Sequence, residues 1–449
     1  MSDRGITANS LLDRRLAFGN LGTTHSGKRD LYEVLGYTKT PNLKDYMAAY
    51  TRQDIANRII NAYPDAIWTK HPEILEDEDT DHDSQFEIVF KDMAKRLNLF
   101  HYMNRSDKLC GLGHYSVMMI GVRDGKDINE PLESVRSADD IMYLTPFSEE
   151  NAQIQKYDEN PYSERYGLPE LYSLQVGGYS GSSYTLMASK TLQVHHSRVI
   201  HIAEGTLEND VFGIPRLQPI LNRLVDLEKV VGGAAEIFWI NGRGGLSLNA
   251  AKDTEIINPE DIQEHAENYV HQISRILKTK NMDVKTLEFS IHDPDMHVST
   301  ILDLISGTTG IPKRILVGSE RGELASSQDE NNWVSRVIER RDNFCEPIVL
   351  RTFIDKMILI GALPSVKEYY INWPDLVVPS NLDRAKIAVD KSSAIATYVN
   401  SLGGDTIIPP KQFVEEILGM PYLEEDLVDM FDSENRDMDK DNAIMEKQT

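Results

Sequence analysis

The N-terminal hundred residues pass from a polar segment without pattern to two stretches of helical periodicity. Residues 1–40 are polar and rich in glycine and threonine, which favours a loosely ordered arm. Apolar side chains then recur near the helical spacing of 3.6 residues, and Pro64 is expected to end this helix. The residues that carry this periodicity are Tyr46, Tyr50, Ile55, Ile59 and Ile60. A second amphipathic helix is predicted over Ser84–Leu99.

The period shortens between Cys110 and Ile202, where runs of β-branched and aromatic residues are separated by turn residues. The runs are HYSVMMIGV, IMYLTPFS, LYSLQV, SSYTLMAS and SRVIHIAEG. Short runs of this kind are typical of paired strands. The segment NPYSERYGLPELYSL interrupts them as a turn-rich connection. We therefore predict an α+β fold whose sheet is largely antiparallel.

A long helix is predicted after Gly213, and a small insert separates it from a second helix. One apolar stripe runs through the first helix: Leu217, Ile220, Leu221, Leu224, Leu227, Val231, Ala235 and Phe238. Gly232 and Gly233 either weaken this helix or let another helix approach it closely. In the insert, the strands GGLSLNA and VKTLEFSIH flank a helix that Asn258 caps and Pro259 begins.

A charged, glycine-rich stretch, GTTGIPKRILVGSERGELASSQ, follows the second helix. Its length predicts a long loop, which is uncommon in a compact chain and is usually functional or disordered. Ser327 and Glu330 form a capping box at its end. The helix that starts there is predicted to run to Gly361 and to be kinked by Pro347, which lacks an amide proton and clashes with the preceding turn.

The remainder of the chain is predicted to be mostly helical. SVKEYYINWPDL has a strand-like pattern, Ser380–Leu402 has a helical one, and PPKQFVEEILG predicts a shorter helix. From Glu424 onward the chain is acidic and without periodicity, which favours a frayed tail.

Composition narrows the function classes. The chain has 449 residues, a formal net charge of −24 and 41% hydrophobic residues, so it can bury a sizeable core. A strongly acidic chain does not suit a protein that wraps DNA by neutralising its phosphates. The two cysteines are distant in sequence and indicate reduced, structural thiols. The N-terminus lacks the apolar core of a signal peptide, and no run of about 18 apolar residues predicts a membrane span.

Sites for nucleotides and metals are weakly indicated. GTTGIPKR contains glycines and Lys313, but a phosphate-binding loop needs Ser or Thr directly after its lysine. The acidic run EDEDTDHD (Glu76–Asp83) could hold a cation, but without fixed ligand spacing it is better explained as solvated charge. His195 and His196 are neighbours on a predicted strand and therefore face opposite sides.

One enzymatic alternative is a phosphoesterase with two histidine motifs. His195 with Ser197, and His297 with Ser299, form two H-x-[ST] motifs about 100 residues apart. Two such motifs on facing strands resemble the 2H phosphoesterases, in which paired imidazoles act as acid and base. His297, however, falls at the start of a predicted helix.

The order of the predicted parts resembles the core of tailed-bacteriophage portal proteins. RVIHIAEG…FGIPRLQPILNRLVDLEKV and ISGTTGIPKRILVGSERGELASSQDENNWVSRVIERRDNF carry the resemblance, and the latter is similar to the family's G-I-P-x-x-x-L-x-G segment. The likeness covers roughly residues 40–420 and is closest to a subgroup of uncharacterised phage-related portal proteins. Element order and spacing carry it, not catalytic residues.

The resemblance implies a structural protein without catalytic residues, cofactor or metal, built as a series of named parts. These are an N-terminal arm (1–40), a wing (41–214), a first stem helix (215–241), a clip (242–294), a second stem helix (295–306), a tunnel loop (307–328), a kinked wing helix with a strand (329–379), and a crown with an acidic tail (380–449).

The resemblance also implies the setting. Identical subunits, usually twelve, form a ring at one vertex of the capsid, and double-stranded DNA is packaged and ejected through its channel. The clip docks the terminase large subunit and later the head-completion or adaptor proteins. Major capsid and scaffolding proteins are further partners, no membrane is involved, and the virion protein is assembled in the host cytoplasm.

Mixed charges in the tunnel loop predict transient contacts with DNA, because each captured phosphate would oppose sliding. The candidate residues are Lys313, Arg314, Ser319, Glu320, Arg321 and Glu323. The alternative is that Lys313 and Arg314 are ordinary surface charges.

Two further groups of polar residues are candidate interfaces. On the clip helix (259–277), Gln263, Glu264, Glu267 and Gln272 lie opposite the apolar face and meet either a partner or solvent. Arg336, Arg340 and Arg341 follow one another at i, i+4 and i+5 on the long helix. We predict that these arginines pair with acidic residues of a neighbouring subunit, because a ring closes through repeated heterologous interfaces.

Overall fold

The chain forms two compact units, Met1–Pro374 and Asp375–Thr449. The computed structural model describes residues 24–25, 29–77, 83–176, 190–243, 245–250, 282–287, 293–318, 323–376, 381–401 and 408–419. None of the helices within these ranges is both long and apolar enough to cross a bilayer.

Helices dominate both units. The helices are α1 Leu31–Leu35, α2 Leu43–Arg52, α3 Asp54–Trp68, α4 Gln85–Leu97, α5 Leu99–Leu112, α6 Leu221–Arg243, α7 Asp295–Thr309, α8 Lys313–Val317, α9 Glu323–Arg340, α10 Thr352–Leu359, α11 Asn381–Asn400 and α12 Pro410–Gln412. Three 3-10 turns span Ala138–Asp140, His196–Arg198 and Gln218–Ile220, and two π-helical segments span Arg341–Arg351 and Phe413–Ile417.

The described strands all lie in the first unit, and all of them pair antiparallel. They are β1 Thr24–His25, β2 Arg29–Asp30, β3 Glu73–Leu75, β4 Ser116–Val122, β5 Ile141–Ser148, β6 Ala152–Tyr157, β7 Pro169–Val176, β8 Lys190–His195, β9 Val199–Ile202, β10 Gly245–Ala250, β11 Met282–Leu287 and β12 Tyr370–Asn372. The sheets are β5-β4-β9, β6-β7-β8, β1-β2, β3-β12 and β10-β11. The predicted α+β class and antiparallel pairing are confirmed, although the strands form several sheets.

Three layers build the larger α+β region. Val117 and Met119 of β4 pack against the second sheet, together with Tyr172 of β7 and Val194 of β8. Because strand side chains alternate, Met118 and Ile120 point to the other face of β4, where α5 packs against β4 and β5. Helices α3 and α4 in turn pack on α5. The order is therefore helices, sheet β5-β4-β9, then sheet β6-β7-β8.

A second core holds the base of the long helix α6. Leu217, Leu224 and Leu227 are buried there against α2, α3 and α7, together with Ile305 and Ile311. Helix α6 leads into β10, and β11 leads into α7, so the β10–β11 pair lies at the far end of a two-helix arm. The two helices of this arm therefore begin in the second core and extend away from it.

Several predicted boundaries are wrong, each for a local reason. The helix before Pro64 is broken at Gln53, which is extended (φ −109°, ψ 127°), and α3 continues past Pro64 to Trp68. Pro64 is buried inside α3, so its packing outweighs its tendency to end a helix. Helix α5 was not predicted, since Asn98 in a left-handed conformation (φ 50°) ends α4 and the next helix starts at once.

The long C-terminal helix of the first unit starts earlier than its capping box. Helix α9 begins at Glu323, so Ser327 lies inside it. At Pro347, where a kink was predicted, the chain continues as a π-helical segment into α10, and Gly361 (φ 78°) follows. Wider π turns relieve the clash between the proline ring and the preceding carbonyl. The strand-like run before residue 377 contains a strand of only three residues, β12.

The predicted N-terminal arm contains ordered elements near residue 40. Helix α1 is capped by Asp30 and ended by Gly36 (φ 65°). The Tyr37 hydroxyl donates to Asp226 of α6, and Lys229 of α6 donates to the Leu35 carbonyl. Leu35 and Tyr37 of the predicted N-terminal arm are thus attached to α6.

In the second unit, α11 and the short helix after it contact each other. The Tyr398 and Phe413 rings stack at 4.0 Å, and the Tyr398 hydroxyl donates to the Ile408 carbonyl at 2.5 Å. Both predicted helices are confirmed, with α11 at Asn381–Asn400. The predicted acidic tail lies outside the described residues.

Among the glycines that the structure describes, Gly213 leaves the least space for a side chain. A Cβ there would lie 1.9 Å from the Glu204 carbonyl oxygen, which belongs to the backbone and cannot rotate away. We expect Gly213→Ala to lower the free energy of unfolding by about 3 kcal/mol, the upper end of overpacking costs. Gly307→Ala, in open space on α7, is the control and should raise it by up to about 1 kcal/mol. Urea unfolding of both variants checks this, and equal midpoints would contradict it.

Candidate functional site

The two-helix arm changes character halfway along α6. Its apolar stripe is buried as far as Leu227, but from Val231 onward the same stripe is exposed. Phe238 is 72% exposed and Trp239 is 63% exposed. Glu236 is the only charged residue between Val230 and Ile240 in the sequence. A helix that is apolar nearly all round is normally buried, so this half of the arm has the character of an interface.

Two glycines mark the start of the exposed half. A Cβ added at Gly232 or Gly233 would meet no atom within 4 Å. The sequence left open whether these glycines weaken the helix or allow close approach. Among the described residues no atom lies within 4 Å of a Cβ placed at either position, so both glycines leave room for another helix to approach closely.

The segment predicted as a tunnel loop is largely helical where it is described. Helix α7 continues to Thr309 and ends at Gly310 (φ 69°), beyond the predicted end of the second stem helix at residue 306. Ile311 is fully buried, and α8 follows, with Leu316 also buried. Apolar side chains at Ile311, Ile315 and Leu316 bind this stretch to the core. Residues 307–318 are therefore anchored to the core through Ile311 and Leu316, and the expectation of a continuous loop over 307–328 is wrong.

The candidate DNA-contacting residues fall into two groups. Lys313 donates to the Ser299 hydroxyl at 2.6 Å and pairs with Asp303 at 3.0 Å. Arg314 pairs with Asp329 at 3.4 Å. Both cations are thus engaged with α7 or α9 of their own chain. Ser319, Glu320 and Arg321 lie outside the described residues, and Glu323 is the first residue of α9.

Four charged side chains meet at the base of the arm, and we call Asp107, Glu204, Arg216 and Arg340 the ionic cluster. Asp107 lies on α5, Glu204 follows β9, Arg216 precedes α6, and Arg340 ends α9. Asp107 Oδ1 accepts from Arg216 Nη2 and Arg340 Nη2, both at 2.6 Å. Glu204 Oε1 accepts from Arg340 Nε at 2.6 Å, and its Oε2 accepts from Arg216 Nε at 2.8 Å. The cluster has no net formal charge and joins four separate elements.

Surrounding residues complete and enclose the ionic cluster. Trp68 Nε1 donates to Asp107 Oδ2 at 2.9 Å, and the Arg340 guanidinium lies over the Phe344 ring at 4.7 Å. Gly111 leaves room for Arg216, since a Cβ there would lie 2.8 Å from its guanidinium carbon. Both cysteines, Cys110 and Cys345, are buried free thiols, consistent with their predicted structural role.

Electrostatics keep both carboxylates ionised. Burial raises the pKa of Asp107, but the Arg340 and Arg216 guanidiniums outweigh that effect and hold the pKa well below its usual range. Burial likewise raises the pKa of Glu204, and Arg216 and Arg340 lower it on balance. A buried carboxylate that loses such a partner becomes a large energetic cost. Loss of one charge from the ionic cluster would consequently destabilise the charges that remain.

The three arginines predicted to pair between subunits have different surroundings. For Arg340 the prediction is wrong, because both its carboxylate partners, Asp107 and Glu204, belong to the same chain. Arg336 pairs with Glu339 one turn on and remains 59% exposed. Arg341 lies over the Trp373 ring at 5.3 Å and reaches Asp342 at 3.5 Å. Arg336 and Arg341 remain candidates for contacts with a neighbour.

Sequence reasoning missed Asp107, Glu204 and Arg216. A faint signal existed for Asp107, since it falls at helical spacing between the apolar residues Met103 and Cys110. A charge in the apolar stripe of a helix needs a buried partner. The partner could not be identified from spacing, because Arg340 is 233 residues away.

The two histidine motifs do not form the arrangement of a 2H phosphoesterase. His297 is in the first turn of α7, not on a strand facing β8. Ser299 accepts a hydrogen bond from Lys313. His195 Nδ1 lies 2.8 Å from the Ser197 hydroxyl, so the two residues of this motif hydrogen-bond to each other. Burial lowers the pKa of His195, and it lowers that of His196 to about 3.

The clip is only partly described. Strands β10 and β11 pair with Gly245 opposite Leu287 and Ala250 opposite Met282. The predicted clip helix lies outside the described residues, and so do its candidate residues Gln263, Glu264, Glu267 and Gln272. The predicted β-α-β insert is therefore supported at its two strands.

The first unit combines an α+β body with a two-helix arm that carries a β pair. The family of phage portal proteins matches residues 44–397. That match spans most of the chain, so the protein belongs to the phage portal protein family. Its role is structural. No curated protein matches the chain.

Solved structures show a similar fold at low sequence identity. The neck of an empty gene transfer agent particle, computed with C6 symmetry, is 13% identical with a TM-score of 0.52, covering 86% of this chain and 96% of that chain. A virion of a native gene transfer agent particle is 14% identical (TM-score 0.49, 86% and 95%). An HK97 family phage portal protein from Corynebacterium diphtheriae is 9% identical (TM-score 0.40, 74% and 97%).

The ionic cluster should dominate the stability of the first unit. We expect Arg340→Met to lower the free energy of unfolding by about 3–5 kcal/mol, because it leaves the buried Asp107 and the largely buried Glu204 with one arginine. Arg336→Met, on the same helix but exposed, is the matched control and should cost about 0–1 kcal/mol. Urea unfolding at pH 7 measures both, and similar losses for the two variants would contradict the role assigned to Arg340.

The same cluster predicts a dependence on pH. The pKa values of Asp107 and Glu204 are lowered in the folded chain, so their stabilisation is complete above the unfolded values of about 4 and is lost on acidification below them. In Arg340→Met the carboxylates lack this advantage. The stability difference between wild type and Arg340→Met should therefore shrink as the pH falls from about 5 to 2. Urea midpoints across this range test it, and a constant or growing difference would argue against the cluster.

Proposed function

We propose that copies of this chain close into a ring, usually of twelve subunits, at one vertex of a phage capsid, and that double-stranded DNA passes through the central channel. The observation that carries the proposal is the change in α6 at Val231, where an apolar stripe passes from buried to exposed. Exposed apolar patches of this kind mark interaction surfaces. Helix α6 is about 35 Å long at 1.5 Å per residue, so its outer half offers several turns to a neighbouring subunit.

Neighbouring arms are the proposed partners of this surface. In a ring, each arm lies between two identical arms, so every subunit offers one face to each side. Val231, Phe238 and the open backbone at Gly232 and Gly233 allow close helix-to-helix packing. Met296 and Leu304 of α7 are also exposed and extend the same type of surface. The C6-symmetric neck structure of similar fold supports a cyclic arrangement.

The charge of the chain supports passage of DNA without tight binding. A formal net charge of −24 does not favour stable phosphate contacts, which would hold the duplex in place. Lys313 and Arg314 are paired with Asp303 and Asp329 of their own chain. We propose that they hold α8 against α7 and α9 and make at most transient contacts with DNA. Residues 319–322, with Glu323, are proposed to reach the channel.

The remaining proposed partners are other proteins of the phage particle and its assembly, and the proposal rests on membership of the portal family and on the two-helix arm. We propose that the clip at the tip of the arm docks the terminase large subunit and then head-completion or adaptor proteins. Gln263, Glu264, Glu267 and Gln272 are the proposed contacts. Arg336 and Arg341 are proposed to pair with a neighbouring subunit. The subunit would be assembled in the host cytoplasm with scaffolding and major capsid proteins, and would then remain in the virion.

A substitution at Gly233 tests the ring directly. We expect Gly233→Leu to prevent assembly, because the isolated chain has space for the side chain but a close-packed neighbour does not. Gly233→Ala, at the same position with one methyl group, is the matched control and should still assemble. Native mass spectrometry counts the subunits, and thermal unfolding confirms that both variants fold. Full assembly of Gly233→Leu would count against packing between arms.

A further inference from the structure

We propose that each subunit inserts the loop between β6 and β7 into a groove of the next subunit, as a plug into a socket. The plug is residues 158–168, and the socket is lined by α3, α4, α5 and the segment before β3. This inference rests on the proposed ring and adds a second contact, in the wing, to the contact between arms. It identifies the occupant of the groove as another copy of this chain.

The plug presents two exposed aromatic side chains. Tyr162 is 95% exposed and Tyr166 is 62% exposed. Large aromatic residues contribute much of the binding energy at protein interfaces because they bury a wide area at low cost in side-chain entropy. Two of them on one short loop are unusual for a surface that faces only water.

Hydrogen bonds within the plug hold it in one conformation. Asp158 accepts from the Ser163 hydroxyl at 2.6 Å and from the Asn160 amide at 3.0 Å. The Asp158 carbonyl accepts from the Gly167 amide at 2.8 Å, and Gly167 has a φ of 80°. The Arg165 guanidinium donates to the Pro169 carbonyl at 3.0 Å. A loop ordered before binding loses little entropy on docking.

The socket is a groove of about 670 Å³ with an aromatic floor. Trp68 and Phe100 lie at its base, and the His71 ring stacks on Phe100 at 4.4 Å. His101 lies on its exposed edge. A cavity of this size has room for a tyrosine side chain, which would lie beside the exposed His71 ring.

Charges on the plug and the socket are complementary. The plug carries the exposed carboxylates Glu159 and Glu164. Four cations line the socket: Lys91, Lys95, Arg105 and Lys108. Lys91 and Lys108 already pair with Asp83 and Asp65. In the described part of the chain, neither Lys95 nor Arg105 has a carboxylate partner. The lining also includes Asp65 and Glu73, so its four cations leave a net charge of +2 (4 − 2) opposite the two carboxylates of the plug, an arrangement that favours specific docking.

Plug and socket lie in opposite layers of the same subunit. The socket belongs to the helical layer on one face of sheet β5-β4-β9, and the plug extends from sheet β6-β7-β8 on the other face. A plug and a socket on different surfaces of one molecule make a heterologous contact, and such contacts generate rings when the rotation closes. Each subunit would fill the socket of one neighbour and receive the plug of the other.

Cysteine cross-linking tests this contact without removing either tyrosine. We expect the doubly substituted chain Glu164→Cys with His101→Cys, treated with a short bismaleimide, to give a ladder of covalent oligomers on a denaturing gel. Cys110 and Cys345 are buried and should not react. The matched control, Glu164→Cys with Leu359→Cys, places the second cysteine at a residue that is 84% exposed outside the socket. On the denaturing gel it should give only the band of the single chain.

Electron microscopy of the same samples separates the possible outcomes. Rings with a ladder support the plug and socket. Rings without a ladder, or with equal ladders in both variants, overturn this inference and leave the proposed ring standing. A wild-type chain that forms no rings overturns the proposed function and this inference together.

Removal of the two anchors provides an independent measurement. We expect Tyr162→Ala with Tyr166→Ala to raise the concentration at which half of the rings dissociate by about tenfold or more. Both residues are exposed in the isolated subunit, so its unfolding temperature should not change. An unchanged dissociation concentration would overturn the inference.

Discussion

Two carboxylates and two guanidiniums hold the base of the arm; Asp107 is fully buried and the other three are largely buried. Glu204 and Arg216 lie 12 residues apart, Asp107 and Arg340 come from distant parts of the sequence, and the cluster has no net formal charge. Removing four charges from water is costly, and their mutual contacts, together with those from Trp68 and Phe344, offset that cost. These contacts are short and numerous, so α5, the start of α6 and the end of α9 are fixed relative to one another. Every later feature of the arm depends on that fixed base.

From this base, one helix serves two purposes. The first half of α6 packs into the core of its own chain, where Leu217, Leu224 and Leu227 are buried. The second half continues the same apolar stripe with Val231 and Phe238, but no part of the described chain covers it. A monomer would lose solubility by exposing this surface. The simplest explanation is that the fold is completed by identical neighbours, as in the ring proposed for this portal family member.

Regular elements with strong periodicity were predictable from the sequence, and contacts between distant segments were not. The stripe of α6, the antiparallel strands and helix α11 follow from local patterns. Pro64 did not end α3, because tertiary packing overrides the preference of one residue. In the supposed loop after Gly307, the described residues 307–318 are anchored to the core by Ile311 and Leu316. The glycines and charges around these two apolar residues made the segment look like a loop in the sequence.

In the candidate site, too, local patterns were predictable from the sequence and contacts between distant segments were not. Arg340 was recognised as a residue that needs an acidic partner, but the partner was sought in another subunit. Its real partners, Asp107 and Glu204, lie in segments whose proximity only the folded chain reveals. The exposed half of α6 was equally hidden, because a stripe in the sequence does not show whether its own chain covers it. Burial is a property of the tertiary structure, and it decided both cases.

A cryo-electron microscopy map of the purified, assembled chain tests the central claim most directly. The account predicts a closed ring with an open central channel, in which Val231, Phe238 and Trp239 are buried between neighbouring arms. A map in which these side chains face solvent, or a chain that remains a single subunit at high concentration, would contradict it.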